Sequence, residues 1–170
     1  KDEPVCQTME RLASLPFVTQ PGEDWIYGYS TDVLGCVVER ASGLALDQFF
    51  RTRITGPLGM VDTEFFVPSG KGDRMAAVYA SGPAGTFVRA PDGARGQGHY
   101  IEGPRKNFSG GAGLVSTARD YARFLELVRN GGVLDNVRLL SPRTVALMTS
   151  NQAGTLHSLE GLGYSVAFET

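Results

Sequence analysis

The segment QPGEDWIYGYSTDVLG, residues 20–35, places three hydroxyl side chains, Tyr27, Tyr29 and Ser30, directly ahead of an apolar run. A phenol or alcohol held on such a turn can carry a proton to or from a reacting group, provided a neighbouring base or cation adjusts it. A tyrosine needs that help because its ordinary pKa of about 10 keeps it protonated at neutral pH. The same residues also fit a purely structural role, with both rings buried under the start of a helix and Ser30 or Thr31 capping it. Locally, both readings stand.

Other residues able to do chemistry are sparse. The two histidines, His99 and His157, stand far apart in loop-like sequence and read as solvent-facing, so a Ser-His-Asp triad or a histidine metal site has little support. No G-x-S-x-G, H-E-x-x-H, C-x-x-C, Walker or G-x-G-x-x-G pattern occurs, and neither a metal nor another cofactor is expected. Cys6 and Cys36 are too few for a disulfide scaffold, and Cys36, inside VLGCVV, reads as a small buried thiol. Gly110, Gly111 and Gly113 precede a helix and could offer backbone N–H groups to an anion. No Lys or Arg follows at phosphate-reading distance, so close packing of a turn on a helix is the better reading. Asn107-Phe108-Ser109 matches the short glycosylation sequon.

The elements that must position these groups follow from apolar spacing. Val5, Met9, Leu12 and Leu15 predict a helix over residues 3–15, closed by Pro16. A second helix is expected over about residues 32–42, with Val33, Val37 and Val38 inward and Gly43 at its end, and a third over about 46–54. Residues 68–104 are rich in Gly and Pro and offer only AAVYA and TFVRA as strands, which predicts loops and edge hairpins. STARDYARFLELVRNGG is the clearest helix, with Thr117 as cap, Asp120 three residues on, and Tyr121, Phe124, Leu125 and Val128 on one face. Asn130 and Gly131 close it, Ser141-Pro142 opens another helix, and GLGYSVAF reads as a strand.

Length and composition bound the function. At 170 residues with 42% hydrophobic and 20% charged residues, the chain reads as one folded domain. Its 16 Lys and Arg are scattered among 18 Asp and Glu, which leaves no basic patch for nucleic acid. No apolar run approaches the roughly 20 residues that cross a bilayer. Because the first residue is Lys1 rather than Met, the chain reads as a processed, excised or truncated piece, and the compartment stays open.

Taken in order, LPFVTQPGEDWIYGYSTDVLGCVVERASG, RITGPLGMVDTEFFVP, GGAGLVSTARDYARFLELVRNGG and RLLSPRTVALMTSNQ resemble successive blocks of the β-lactamase-related serine hydrolases. That superfamily includes class C β-lactamases, DD-peptidases and family VIII carboxylesterases, and the W-x-Y-x-x-x-x-D-V-L-G spacing is most similar to the last. The resemblance implies an α+β, β-lactamase/penicillin-binding-protein-like fold, seen here mainly as its helical region with peripheral strands and an incomplete antiparallel sheet. It places Tyr27 at the family's catalytic tyrosine and Tyr29 where an Asn would stand, lining the substrate pocket with residues 93–108; Gly28 replaces the usual Ser.

The family's nucleophilic Ser and its Lys come from an S-x-x-K motif, and a third motif has the K-T-G, H-x-G or W-G-G form. No serine here has Lys three positions on, and no Lys begins a K-[ST]-G. The resemblance therefore implies that residues 1–170 are the central part of a single β-lactamase-like domain. The S-x-x-K block would lie upstream of Lys1 and the third motif just beyond GLGYSVAF. The expected function is a serine hydrolase working through an acyl-enzyme on a small-molecule ester or amide, with the flanking segments of the same protein as partners. The alternatives are a non-catalytic remnant or binding module that keeps the scaffold, and a small anion-binding domain built on GGAGLVST.

Overall fold

In the computed structural model, residues 3–24, 26–90, 99–102 and 105–152 are described; Trp25, His157 and the expected strand GLGYSVAF lie outside them. Helix α1, Val5–Leu12, buries Val5 and Met9 as the spacing predicts, but it stops at Leu12, and Leu15 beyond it is exposed. Helix α2, Ser30–Ser42, starts two residues earlier than expected. Its N-cap position is therefore Tyr29, which makes no side-chain cap bond, so Ser30 and Thr31 are not the caps. Gly43 ends α2 with φ 70°, in the left-handed region a glycine enters without penalty.

The inward face of α2 also differs from the prediction. Gly35 is buried and Val38 half-buried, whereas Val33, Leu34 and Val37 point outward. The cause is the missing side chain: a Cβ on Gly35 would meet Leu46 Cδ2 at 3.1 Å and the Gly110 Cα at 3.4 Å. Helix α3, Leu46–Phe50, runs into one wider π turn, Arg51–Thr55. Gly56 N–H closes that turn on the Arg51 carbonyl at 3.0 Å, where a Cβ would lie 2.4 Å from the same oxygen.

Strands β1, Tyr79–Ser81, and β2, Phe87–Arg89, form the expected antiparallel edge hairpin, with Tyr79 opposite Arg89 and Ser81 opposite Phe87. His99 opens a short helix α4, His99–Glu102, so its backbone is helical rather than loop. In helix α5, Ala118–Arg129, the Thr117 hydroxyl accepts the Asp120 N–H as predicted. Its buried face carries Asp120 and Leu127 with Phe124 and Val128 half-buried, while Tyr121 and Leu125 are exposed. Polar bonds set this rotation: the Asp120 carboxylate accepts the Asp62 N–H at 2.7 Å and the Thr63 hydroxyl at 2.9 Å.

A hairpin absent from the sequence reading follows, β3, Val133–Leu134, with β4, Val137–Arg138. Asp135 (φ 47°) and Asn136 (φ 66°) turn it, both left-handed as a two-residue hairpin loop requires. Helix α6, Pro142–Met148, starts as expected, with Ser141 Oγ accepting the Thr144 N–H at 3.0 Å. No helix among the described residues is long and apolar enough to cross a membrane.

Two apolar clusters hold these elements. Leu58, Met60, Leu127 and Leu134 form one, packed by Ile54, Phe124, Leu139 and Leu140. Leu46, Phe65 and Phe66 form the other, where Phe65 meets Phe50 and Phe108 edge-on at 5.5 and 5.4 Å. A β-bridge between Glu64 and Val115 ties the segment ahead of α5 to the aromatic cluster. Helix α1 joins α2 through a disulfide, Cys6–Cys36, with Cα atoms 4.9 Å apart. This corrects the reading of Cys36 as a buried thiol: α1 lies against α2 and brings the two residues within bridging distance.

Candidate active site

Tyr27 and Tyr29 stand on the turn just ahead of α2, and both side chains are exposed, Tyr27 to 78%. A second turn, residues 109–112, docks on the start of α2. Asp32, in the first turn of α2, accepts the Ser109 hydroxyl at 2.5 Å. Ser109 Oγ in its turn accepts the N–H of Gly111 at 3.3 Å and of Ala112 at 3.2 Å. One serine thereby closes the SGGA turn and moors it to α2.

The glycines of this turn lie where no side chain fits. A Cβ on Gly110 would sit 2.1 Å from the Thr31 carbonyl oxygen, and one on Gly113 would sit 2.3 Å from the Ser109 oxygen and 2.7 Å from the Phe65 ring. Close packing of a turn on a helix, the reading preferred from sequence, is therefore what the cluster does. The sequon is likewise internal: Asn107 Nδ2 donates to the Glu3 carbonyl at 3.2 Å, and Ser109 is held by Asp32.

Tyr29, Asp32, Asn107 and Ser109 line one side of a cavity of about 200 Å³, with Val5, Thr8 and Met9 opposite. Of the expected pocket residues, Tyr29 and Asn107 come together there. Tyr27 is not in its wall, and residues 91–98 and 103–104 lie outside the described set. Asp32 and Ser109 escaped the sequence reading; the available signal was an acidic residue in a first helical turn, where a carboxylate complements exposed N–H groups.

Among the described residues, a marked electrostatic perturbation falls on others. Arg74 makes two 2.9 Å bonds to the Asp62 carboxylate and Lys71 adds one at 2.6 Å. Arg74 first, then Lys71, holds that carboxyl well below the usual carboxylate range. Among the described residues no group of three or more His, Cys, Asp or Glu is gathered to hold a metal. What the tyrosine turn does is present a phenol at the surface, where it could exchange a proton with a group brought to it.

Comparisons with known proteins identify the family. A sequence profile for the family described as Beta-lactamase matches residues 2–168. Protein Rv1367c of Mycobacterium tuberculosis is 38% identical over 83% of this chain and 34% of its own length. Esterase EstB of Burkholderia gladioli is 34% identical over 99% of this chain and 44% of its own length. The chain thus spans between about a third and less than half of these curated relatives. Among solved structures, EstCE1, described as a hydrolase with promiscuous acyltransferase activity, superposes with a TM-score of 0.73 at 28% identity, over 87% of this chain and 40% of that one. A match that runs from residue 2 to residue 168 leaves almost nothing of the sequence unaccounted for, and the chain belongs to the beta-lactamase family, with its β-lactamase/penicillin-binding-protein-like fold.

Proposed function

We propose that the chain is the central part of a single β-lactamase-like domain in a serine hydrolase that acts on small ester substrates through an acyl-enzyme. Tyr27 serves in its proton relay and Tyr29 lines its substrate pocket. The observation that carries the reading is the exposure of Tyr27: a structural role would bury the ring under α2, and it stands 78% exposed on the turn just ahead of that helix. The name of EstB supports esters as the substrate class, as does Tyr29 in place of an amide-bearing Asn, and the description of EstCE1 supports hydrolysis and acyl transfer.

In this reading the nucleophilic serine and its lysine come from an S-x-x-K segment of the parent protein outside these residues. The serine attacks the ester carbonyl, and its proton passes by way of the Lys–Tyr27 pair to the departing alkoxide. Water then repeats the sequence in reverse to release the acid. Tyr27 needs cations close by to hold a phenolate, which the lysines of the other motifs supply.

The test is hydrolysis of short-chain nitrophenyl esters by the intact parent protein beside its Tyr27→Phe variant. The variant is expected to lose about 10²–10⁴-fold in kcat with KM little changed. Turnover equal to that of the unaltered protein would remove Tyr27 from the mechanism. Absence of any S-x-x-K segment in the parent would favour the non-catalytic scaffold instead.

A further inference from the structure

The Cys6–Cys36 bridge closes a segment of 30 positions, and that segment contains the tyrosine turn. Of the described residues between the two helices, 13–24 and 26–29, all are exposed except the half-buried Thr19. Little of the span is buried, and the bridge ties its two ends covalently whatever its surface contacts are. Helix α1, which launches it, contributes no residue to either apolar cluster. Besides its buried face of Val5, Cys6, Thr8 and Met9, α1 is held by an exposed ion pair from Arg40 to Glu10, and Asn107 bonds to Glu3 just ahead of it. Exposed pairs of this kind contribute little.

We infer that the Cys6–Cys36 disulfide is a covalent positioning device for the Tyr27–Tyr29 turn: it keeps α1 seated on α2, and its reduction frees the intervening span while the two apolar clusters stay folded. The bridge forms by thiol–disulfide exchange. The two cysteine thiols give up two electrons and two protons to the disulfide of an oxidised thiol carrier, which leaves as its dithiol. A dithiol reductant reverses the step. Such a bridge belongs to an oxidising compartment. The positional claim stands apart from the proposed function; only its consequence for turnover rests on that reading.

The sequence carries its own reporter, since Trp25, the single tryptophan, lies two positions before Tyr27. Chain folded in air is compared with the same chain reduced by dithiothreitol and then reoxidised with glutathione disulfide. In the oxidised chain no thiol should react with Ellman's reagent even after denaturation, and two should react once it is reduced. Reduction is expected to raise acrylamide quenching of Trp25 about twofold and proteolysis after Glu23 about tenfold, with far-UV helical signal retained and both changes undone by reoxidation. The Cys6→Ser, Cys36→Ser double variant should match the reduced chain without reductant. Two reactive thiols in the air-folded chain, equal quenching and cleavage in both redox states, or collapse of the helical signal on reduction or in the variant would each overturn the inference. None of these readouts involves ester hydrolysis, so its outcome and that of the Tyr27 test are separable.

Discussion

Side chains a dozen positions apart set the ionisation of one carboxyl, that of Asp62. Asp62 is held by Arg74 and Lys71, and its carboxyl lies well below the usual range. A carboxyl lowered by folding stabilises the fold at every pH above its unfolded value, near 4, and loses that contribution only as pH falls through its own lower value. The Asp62 carboxyl signal in a carbon NMR titration should therefore stay that of the ionised form below pH 3. In Arg74→Ala it should move back toward the ordinary range, and less so in Lys71→Ala, because Arg74 is the larger cause. An unmoved signal in both variants would contradict the assignment. This trio was not legible in the sequence, where nothing marks Asp62 apart from other acids; only the path of the backbone brings Lys71 and Arg74 to it. Tyr27 could be proposed from the sequence, since its spacing from Trp25 and Gly35 is independent of packing.

Helix positions were readable from periodicity, and helix faces were not. Apolar spacing located α1, α2 and α5, and the Ser-Pro start located α6, while of the three valines expected on the inward face of α2 only Val38 turns inward and Val33 and Val37 point outward. The residue that sets the face is Gly35, which acts by lacking a side chain, and hydrophobic patterning gives weight only to side chains that exist. Similarly, Asp120 turns α5 inward by hydrogen bonding, and the Asp135-Asn136 hairpin escaped notice because it lacks the Asn-Gly that signals such turns most strongly. The packing of the SGGA turn on α2 yields a direct test. Gly110→Ala places a methyl group against the Thr31 carbonyl and is expected to cost about 1–3 kcal/mol in chemical denaturation. A change within a few tenths would mean that the turn yields easily and that Asp32 and Ser109 do not fix it.

At the scale of the whole chain, the order of the sequence blocks conveyed the fold class, and the resemblance was specific because those blocks run nearly end to end. The disulfide was beyond reach, since a pair of cysteines states nothing about which helices will meet. The outward row Val33, Leu34 and Val37 on α2 lies next to the exposed tyrosines, a surface that the rest of the parent protein covers in the proposed function. Covering it would contribute on the order of 1 kcal/mol per residue, as each is about half exposed. Supplying the S-x-x-K segment of the parent in trans should accordingly raise the Tm of this chain in a concentration-dependent way, as any ligand of the folded state does. A Tm that stays flat would count against the central-part reading. A different use follows from the β1–β2 hairpin. Its tip closes on itself, with Gly82 N–H on the Thr86 carbonyl at 2.7 Å and Thr86 N–H on the Pro83 carbonyl at 3.1 Å, and it contributes to neither apolar cluster. Residues 82–86 are thus a natural graft point, where an epitope or a dye-binding peptide can be spliced in as a handle without disturbing the parts that fold.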